Sequence, residues 1–77
     1  MKIYVKRKHI RDGQRDNVVS CPIALVLTEQ LGVGDLKVAD YEIVLGKTKF
    51  TCPTRAARFI SKFDAGKPVK PFAFFLR

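Results

Sequence analysis

One histidine, two cysteines and seven carboxylates are all that this 77-residue chain offers among the side chains that most often do chemistry. Two cysteines are too few for the disulfide frame of a small secreted domain, and His9 with Cys21 and Cys52 makes a poor zinc set. Free cysteines are among the most buried residue types, so both read as buried or half-buried thiols, with a disulfide the lesser option. No metal and no cofactor is expected. The chain has no glycine-rich phosphate loop, no closely spaced carboxylate pair and no nucleophile elbow. The sharpest catalytic option is a cysteine at a helix start, its pKa lowered by the macrodipole, with His9 as base. Against it, a cysteine before proline at a helix start is more often structural, and no Asn or Asp is placed to orient His9. The expectation is a protein that is not an enzyme.

Long apolar runs are also missing. In MKIYVKRKHI a charge lies within a few residues of every apolar side chain, so neither a signal h-region nor a spanning helix is read. The expected location is cytoplasmic, with no membrane partner. A chain this short buries roughly 60% of its unfolded surface, enough for one core and too little for a deep substrate cleft. A single domain over residues 1–77 follows.

What is present in excess is positive charge: 15 Lys plus Arg against seven Asp plus Glu, a formal net charge of +8. The excess is uneven. Residues 1–20 carry a net +4, residues 21–46 a net −3, and residues 47–77 a net +7. Both ends are basic and the middle is acidic, so a fold that brings the ends together builds a continuous positive surface, which favours an acidic partner.

The apolar pattern says how the ends meet. Lys2 to Lys6 alternates, with Ile3 and Val5 on one side and Lys2, Tyr4 and Lys6 on the other, which predicts a half-buried strand. Arg7 to Ser20 is charged and holds the turn signal Asp12-Gly13, a loop with about one helical turn around His9 and Ile10. Pro22 stands at a first helical position, and Ile23, Leu27 and Leu31 repeat every four residues up to Gly32 and Gly34, with Ala24, Leu25 and Val26 widening the buried surface. Strands are predicted over 36–40, 41–45 and 47–51, the last with Lys47, Lys49 and Thr51 on one face, after a turn at Gly46-Lys47. A second helix shows Ala56, Phe59, Ile60 and Phe63 at i, i+3, i+4 and i+7 and stops at Gly66. Phe72 to Leu76 closes the chain as a strand apolar on both faces, which suggests an inner strand. The order β-α-β-β-β-α-β predicts an α+β, two-layer domain with two helices on one face of a mainly antiparallel sheet of four to five strands. Ser20-Cys21-Pro22 and Thr51-Cys52-Pro53 start the two helices alike, through an internal duplication or through shared capping chemistry.

Three basic runs make the candidate binding residues. Arg55, Arg58 and Lys62 fall within about 60° of one another at a helical 100° per residue, beside the apolar face. Lys2, Tyr4 and Lys6 set an aromatic ring between two charges, a combination that holds phosphates and a base together. Lys47 and Lys49 add a third run, and Arg7, Lys8, Arg11 and Arg15 cluster around His9. Any one run reads most simply as a solvated face, but together they are rarely interrupted by acid. No helix-turn-helix, zinc-finger, RNA-recognition or KH signature is present.

The stretches His9-Ile10-Arg11-Asp12-Gly13, Cys21-Pro22-Ile23-Ala24-Leu25, Arg58-Phe59-Ile60, Phe63-Asp64-Ala65-Gly66-Lys67-Pro68-Val69 and Pro71-Phe72-Ala73-Phe74 resemble a group of short uncharacterised proteins encoded by phages and prophages. The likeness spans nearly the whole chain, and its motifs are helix starts, helix ends and core aromatics. The resemblance implies a viral accessory protein in the cytoplasm of a bacterial host. The leading expectation is a binding module that antagonises host immunity, anti-CRISPR-like, by occupying a nucleic-acid or partner surface of a defence complex. A nucleic-acid or nucleotide binder, including a sponge for a phosphorylated immune signal, is the second, and a phage structural or assembly protein the third. An exposed edge strand also leaves room for a homodimer.

Overall fold

A computed structural model describes residues 2–32, 36–39 and 42–76; Gly34, Asp40 and Tyr41 lie outside the described residues. The period-two stretch at the N-terminus forms β1 (Lys2–Val5), and the chain turns directly into a short helix α1 (Arg7–Asp12). Next come α2 (Pro22–Leu31), the strands β2 (Leu36–Val38), β3 (Glu42–Leu45) and β4 (Thr48–Thr51), then α3 (Thr54–Asp64) and β5 (Phe72–Phe75). The α+β class holds, with three helices and five strands among the described residues.

The expected single sheet does not form. β1 pairs antiparallel with β5 in a two-stranded ribbon, and β2, β3 and β4 make a separate antiparallel three-stranded sheet. One cause lies in the loop before α2. The amide of Val38 donates 2.7 Å to the carbonyl of Val18, so the loop takes a bonding position on β2 that a further strand would need. Helix α2 packs against β1 of the ribbon and β2 of the sheet. Its Ile23, Ala24, Val26 and Leu27 are all buried, which matches the expectation of a helix covered on more than one side.

α1 is the helical turn expected around His9 and Ile10, extended to six residues. Its start is fixed by His9, which stands at the third helical position and accepts at Nδ1 from the Lys6 amide at 2.9 Å, the role a Glu or Gln plays in a capping box. Lys6 is therefore a helix cap beyond the strand and not a third member of the Lys2–Tyr4 face. Gly13 closes α1 against the start of α2, where an added Cβ would lie 2.6 Å from Cδ and Cγ of Pro22.

The two Cys-Pro helix starts are not equivalent. Cys21 caps α2, its Sγ accepting from the Ala24 amide at 3.4 Å with Pro22 at the first helical position, whereas in α3 the cap is Pro53 itself and Thr54 is first. The hairpin β3–β4 turns at Gly46-Lys47, with Gly46 at φ +58 in the first central position, where type II′ turns place glycine. Lys47 accordingly sits in the turn and not on the strand.

One apolar cluster joins all of this, drawing on Ile3 and Val5, on α2, on Leu36, Val38 and Ile43, on Ala56, Phe59, Ile60 and Phe63, and on Phe74. The radius of gyration is 11.0 Å, against about 11.5 Å for a compact chain of this length. A run of phenylalanine rings ties α3 to the ribbon: Phe59 stacks on Phe72 at 4.7 Å between centroids and lies 6.2 Å from Phe63, and Phe72 lies 5.7 Å from Phe74. β5 is not the inner strand its two apolar faces suggested, since its only strand partner among the described residues is β1 and Phe75 is 56% exposed.

Phe59→Ala removes one of the two inner rings of that run and should cost about 3–5 kcal/mol in urea unfolding. Gly13→Ala should cost about 1–3 kcal/mol by the same measurement, because the rigid Pro22 ring has no rotamer that yields.

Candidate nucleic-acid interface

The β1–β5 pairing carries the two basic ends of the sequence to one side of the molecule. In its register Lys2 lies opposite Phe75 and Tyr4 opposite Ala73, while Ile3, Val5, Phe72 and Phe74 form the other face. Ile3, Val5 and Phe74 enter the core, and Tyr4 and Phe75 are 52% and 56% exposed. The Lys2 ammonium stands over both exposed rings, 5.3 Å from the Tyr4 centroid and 5.7 Å from that of Phe75. Phe75 was absent from the sequence reading of the site. Only its cross-strand position opposite Lys2 marks it.

Helix α3 supplies the rest of the face. Ala56, Phe59, Ile60 and Phe63 turn inward, which leaves Arg55, Arg58 and Lys62 exposed along the neighbouring side. Arg55 lines two adjoining clefts. The first, about 760 Å³, runs from Lys2 and Phe75 past Thr51 and Pro53. The second, about 370 Å³, has Arg58, Lys62 and Lys70 around a floor of Phe59 and Phe72. No Asp or Glu among the described residues lines either cleft, and Lys2, Arg55, Arg58, Lys62 and Lys70 form no ion pair among the described residues. The first turn of α3 also lacks an acidic residue, so Arg55 adds to the positive end of the helix macrodipole instead of being offset there. Lys70 was absent from the sequence reading of the site. It joins the site because residues 67–71 fold back beside α3.

The remaining basic candidates divide. Arg7, Lys8 and Arg11 line a cleft of about 380 Å³ that shares Val69 with the Lys70 cleft, so α1 borders the same surface. Two of these three charges are already engaged. Lys8 Nζ lies 3.1 Å from Glu29, and Arg11 Nε donates to Asp12 at 2.9 Å, which holds the Asp12 carboxyl below the usual carboxylate range. Arg15 is separate, with its guanidinium carbon and terminal nitrogens beside Gly66 just beyond α3. Lys49 is exposed on β4 and period two puts it on the face of Thr51, a residue of the first cleft, while Lys47 occupies the hairpin turn.

The thiol and imidazole do not assemble into a nucleophile and base. Burial pushes the Cys21 thiol up, which keeps it protonated at neutral pH, and its sulfur serves as the α2 cap. His9 is 3% exposed and has both ring nitrogens occupied, Nδ1 by the Lys6 amide and Nε2 by Glu29 Oε2 at 3.1 Å. Since Nδ1 accepts an N–H, the proton resides on Nε2 and is donated to the carboxylate. Cys52 is buried as well. Among the described residues no group of three His, Cys, Asp or Glu is placed to hold a metal, and no helix is long and apolar enough to cross a membrane. In comparisons with known proteins, no family model, no curated protein and no solved structure matches the chain.

Hydrogen bonds from Lys8 and His9 lower the Glu29 pKa. A carboxylate depressed on folding stabilises above its unfolded pKa and loses that contribution as pH falls through its folded pKa. Glu29→Gln should therefore be less stable than the native chain at neutral pH, and the two urea midpoints should converge as the pH drops below the carboxylate range.

Proposed function

We propose that this chain is a non-enzymatic binding module that grips the phosphate backbone of nucleic acid with the face built from β1, β5 and α3. The observation that carries this reading is the run of Lys2, Arg55, Arg58, Lys62 and Lys70 along two adjoining clefts with no acidic side chain among the described lining residues. A small domain usually intersperses charges of both signs, and a single-sign field over exposed aromatic and aliphatic surface favours a polyanion. With the resemblance to phage-encoded proteins, the biological role that fits is antagonism of host immunity: the module covers the nucleic acid that a bacterial defence complex must reach, in the manner of an anti-CRISPR inhibitor. The place of action is then the host cytoplasm.

A second reading is kept because the cleft over Phe59 and Phe72 has, at about 370 Å³, a volume within the range of small-ligand sites, roughly 300–1,000 Å³. A sponge for a phosphorylated immune signal would use the same Arg58, Lys62 and Lys70. It predicts a thermal shift with a cyclic nucleotide, which saturation at a hundredfold over Kd makes worth about 2.7 kcal/mol.

The test of the first reading is a salt titration. Binding of a fluorescent oligonucleotide should weaken by orders of magnitude between low and physiological salt, and R55E/R58E/K62E should lower the slope of log K against log salt by about three. The variant should stay folded, since all three side chains are exposed and the dipole gain of Glu at 55 in the first turn offsets the loss of Lys62 in the last turn, each about 0.3–1 kcal/mol. Absence of binding to any polyanion at low salt would remove this reading. A pull-down from bacterial lysate with and without nuclease then shows whether nucleic acid mediates the contact with a defence complex.

A further inference from the structure

We infer that the outer face of the β1–β5 ribbon is a stacking platform for unpaired bases, so that the nucleic acid this protein takes is single-stranded. The inference rests on the proposed phosphate-binding role of the adjoining face and specifies its ligand. Tyr4 and Phe75 are diagonal neighbours across the ribbon, more than half exposed, and neither ring is part of the Phe59–Phe72–Phe74 stack. Directly opposite Tyr4 stands Ala73, too small to cover a tyrosine ring. Two large aromatic rings turned to solvent on one side of a four-residue ribbon add nothing to the core. Their flat faces suit bases, which stack on aromatic rings without regard to sequence.

Access to the base faces selects the strand. In a stacked duplex each base is covered by neighbours about 3.4 Å above and below, which leaves no face free for a side-chain ring. Two exposed rings can therefore each take a base only from a strand that has left the duplex stack. Charge is arranged to match. Lys2 lies between the rings, 5.3 and 5.7 Å from their centroids, and its flexible ammonium can exchange the ring faces for a phosphate. The cleft that starts at Lys2 and Phe75 continues to Arg55, which gives the backbone a positive track away from the platform. The same charges argue against a second copy of this chain as the occupant, because two such faces repel.

The test compares, on the unaltered protein, a fluorescein-labelled oligothymidine of about ten nucleotides with its abasic counterpart of equal phosphate number and with a duplex of the same length. The oligothymidine should bind about 10- to 100-fold tighter than the abasic strand, and Y4V/F75V should reduce that preference to near unity while leaving the salt slope unchanged. Equal affinity for intact, abasic and duplex probes, with steep salt dependence retained, would overturn the platform and leave the phosphate-binding role standing. No binding to any of the three at low salt would overturn both. Light scattering that shows a dimer dissociated by Y4V/F75V would likewise overturn the inference, since the rings would then be an interface between copies. The abasic comparison needs no variant, so it decides the matter even if Y4V/F75V fails to fold.

Discussion

The pairing of β1 with β5 is the contact on which the rest of this structure depends. It brings Lys2 and Phe75 from the two ends of the chain to opposite positions in one short ribbon. With four residues on each side, such a ribbon is marginal by itself. Burial holds it: Ile3 and Val5 lie over α2 and Phe74 sits in the common core, while Phe72, half-buried, stacks on Phe59 of α3. The aromatic run therefore has two consequences. It anchors the terminal strand, and it fixes α3 beside the ribbon so that Arg55 borders the Lys2–Phe75 cleft.

Charge placement on this framework is costly in folding terms. α3 carries Arg55 in its first turn with no acid nearby, against the preference set by the helix macrodipole. Around α1, two of the few carboxylates are used locally. Glu29 holds Lys8 and the buried His9, and Asp12 holds Arg11. His9 and Cys21 hold structural positions, with His9 completing the start of α1 and Cys21 capping α2. Lys2, Arg55, Arg58, Lys62 and Lys70, along the two clefts beside the ribbon and α3, have no ion pair among the described residues.

Much of this was legible in the sequence, and the residues that were not share a reason. The alternation of Ile3 and Val5, the four-residue repeat of α2 and the face of Ala56, Phe59, Ile60 and Phe63 identified the elements and their buried sides correctly. The stripe of Arg55, Arg58 and Lys62 followed from the same periodicity. Three readings needed correction. The helical turn expected around His9 and Ile10 runs longer, over residues 7–12, because His9 meets the Lys6 amide and Glu29, the latter twenty residues away. The single sheet gave way to two, partly because Val18 of an irregular loop bonds to β2. β5 looked like an inner strand because apolarity on both faces ordinarily means burial on both, whereas here the second face meets solvent.

By itself, then, the sequence determined what is local and periodic: the class of fold, the inward faces of the strands and long helices, and the sign of the surface charge at each end of the chain. Only the tertiary structure decided which of those charges stand together. Register between strands separated by nearly the whole chain placed Lys2, Tyr4 and Phe75 on one face, and the return of residues 67–71 added Lys70. Such relations arise from long-range pairing and packing, which leave no periodic trace in either segment alone.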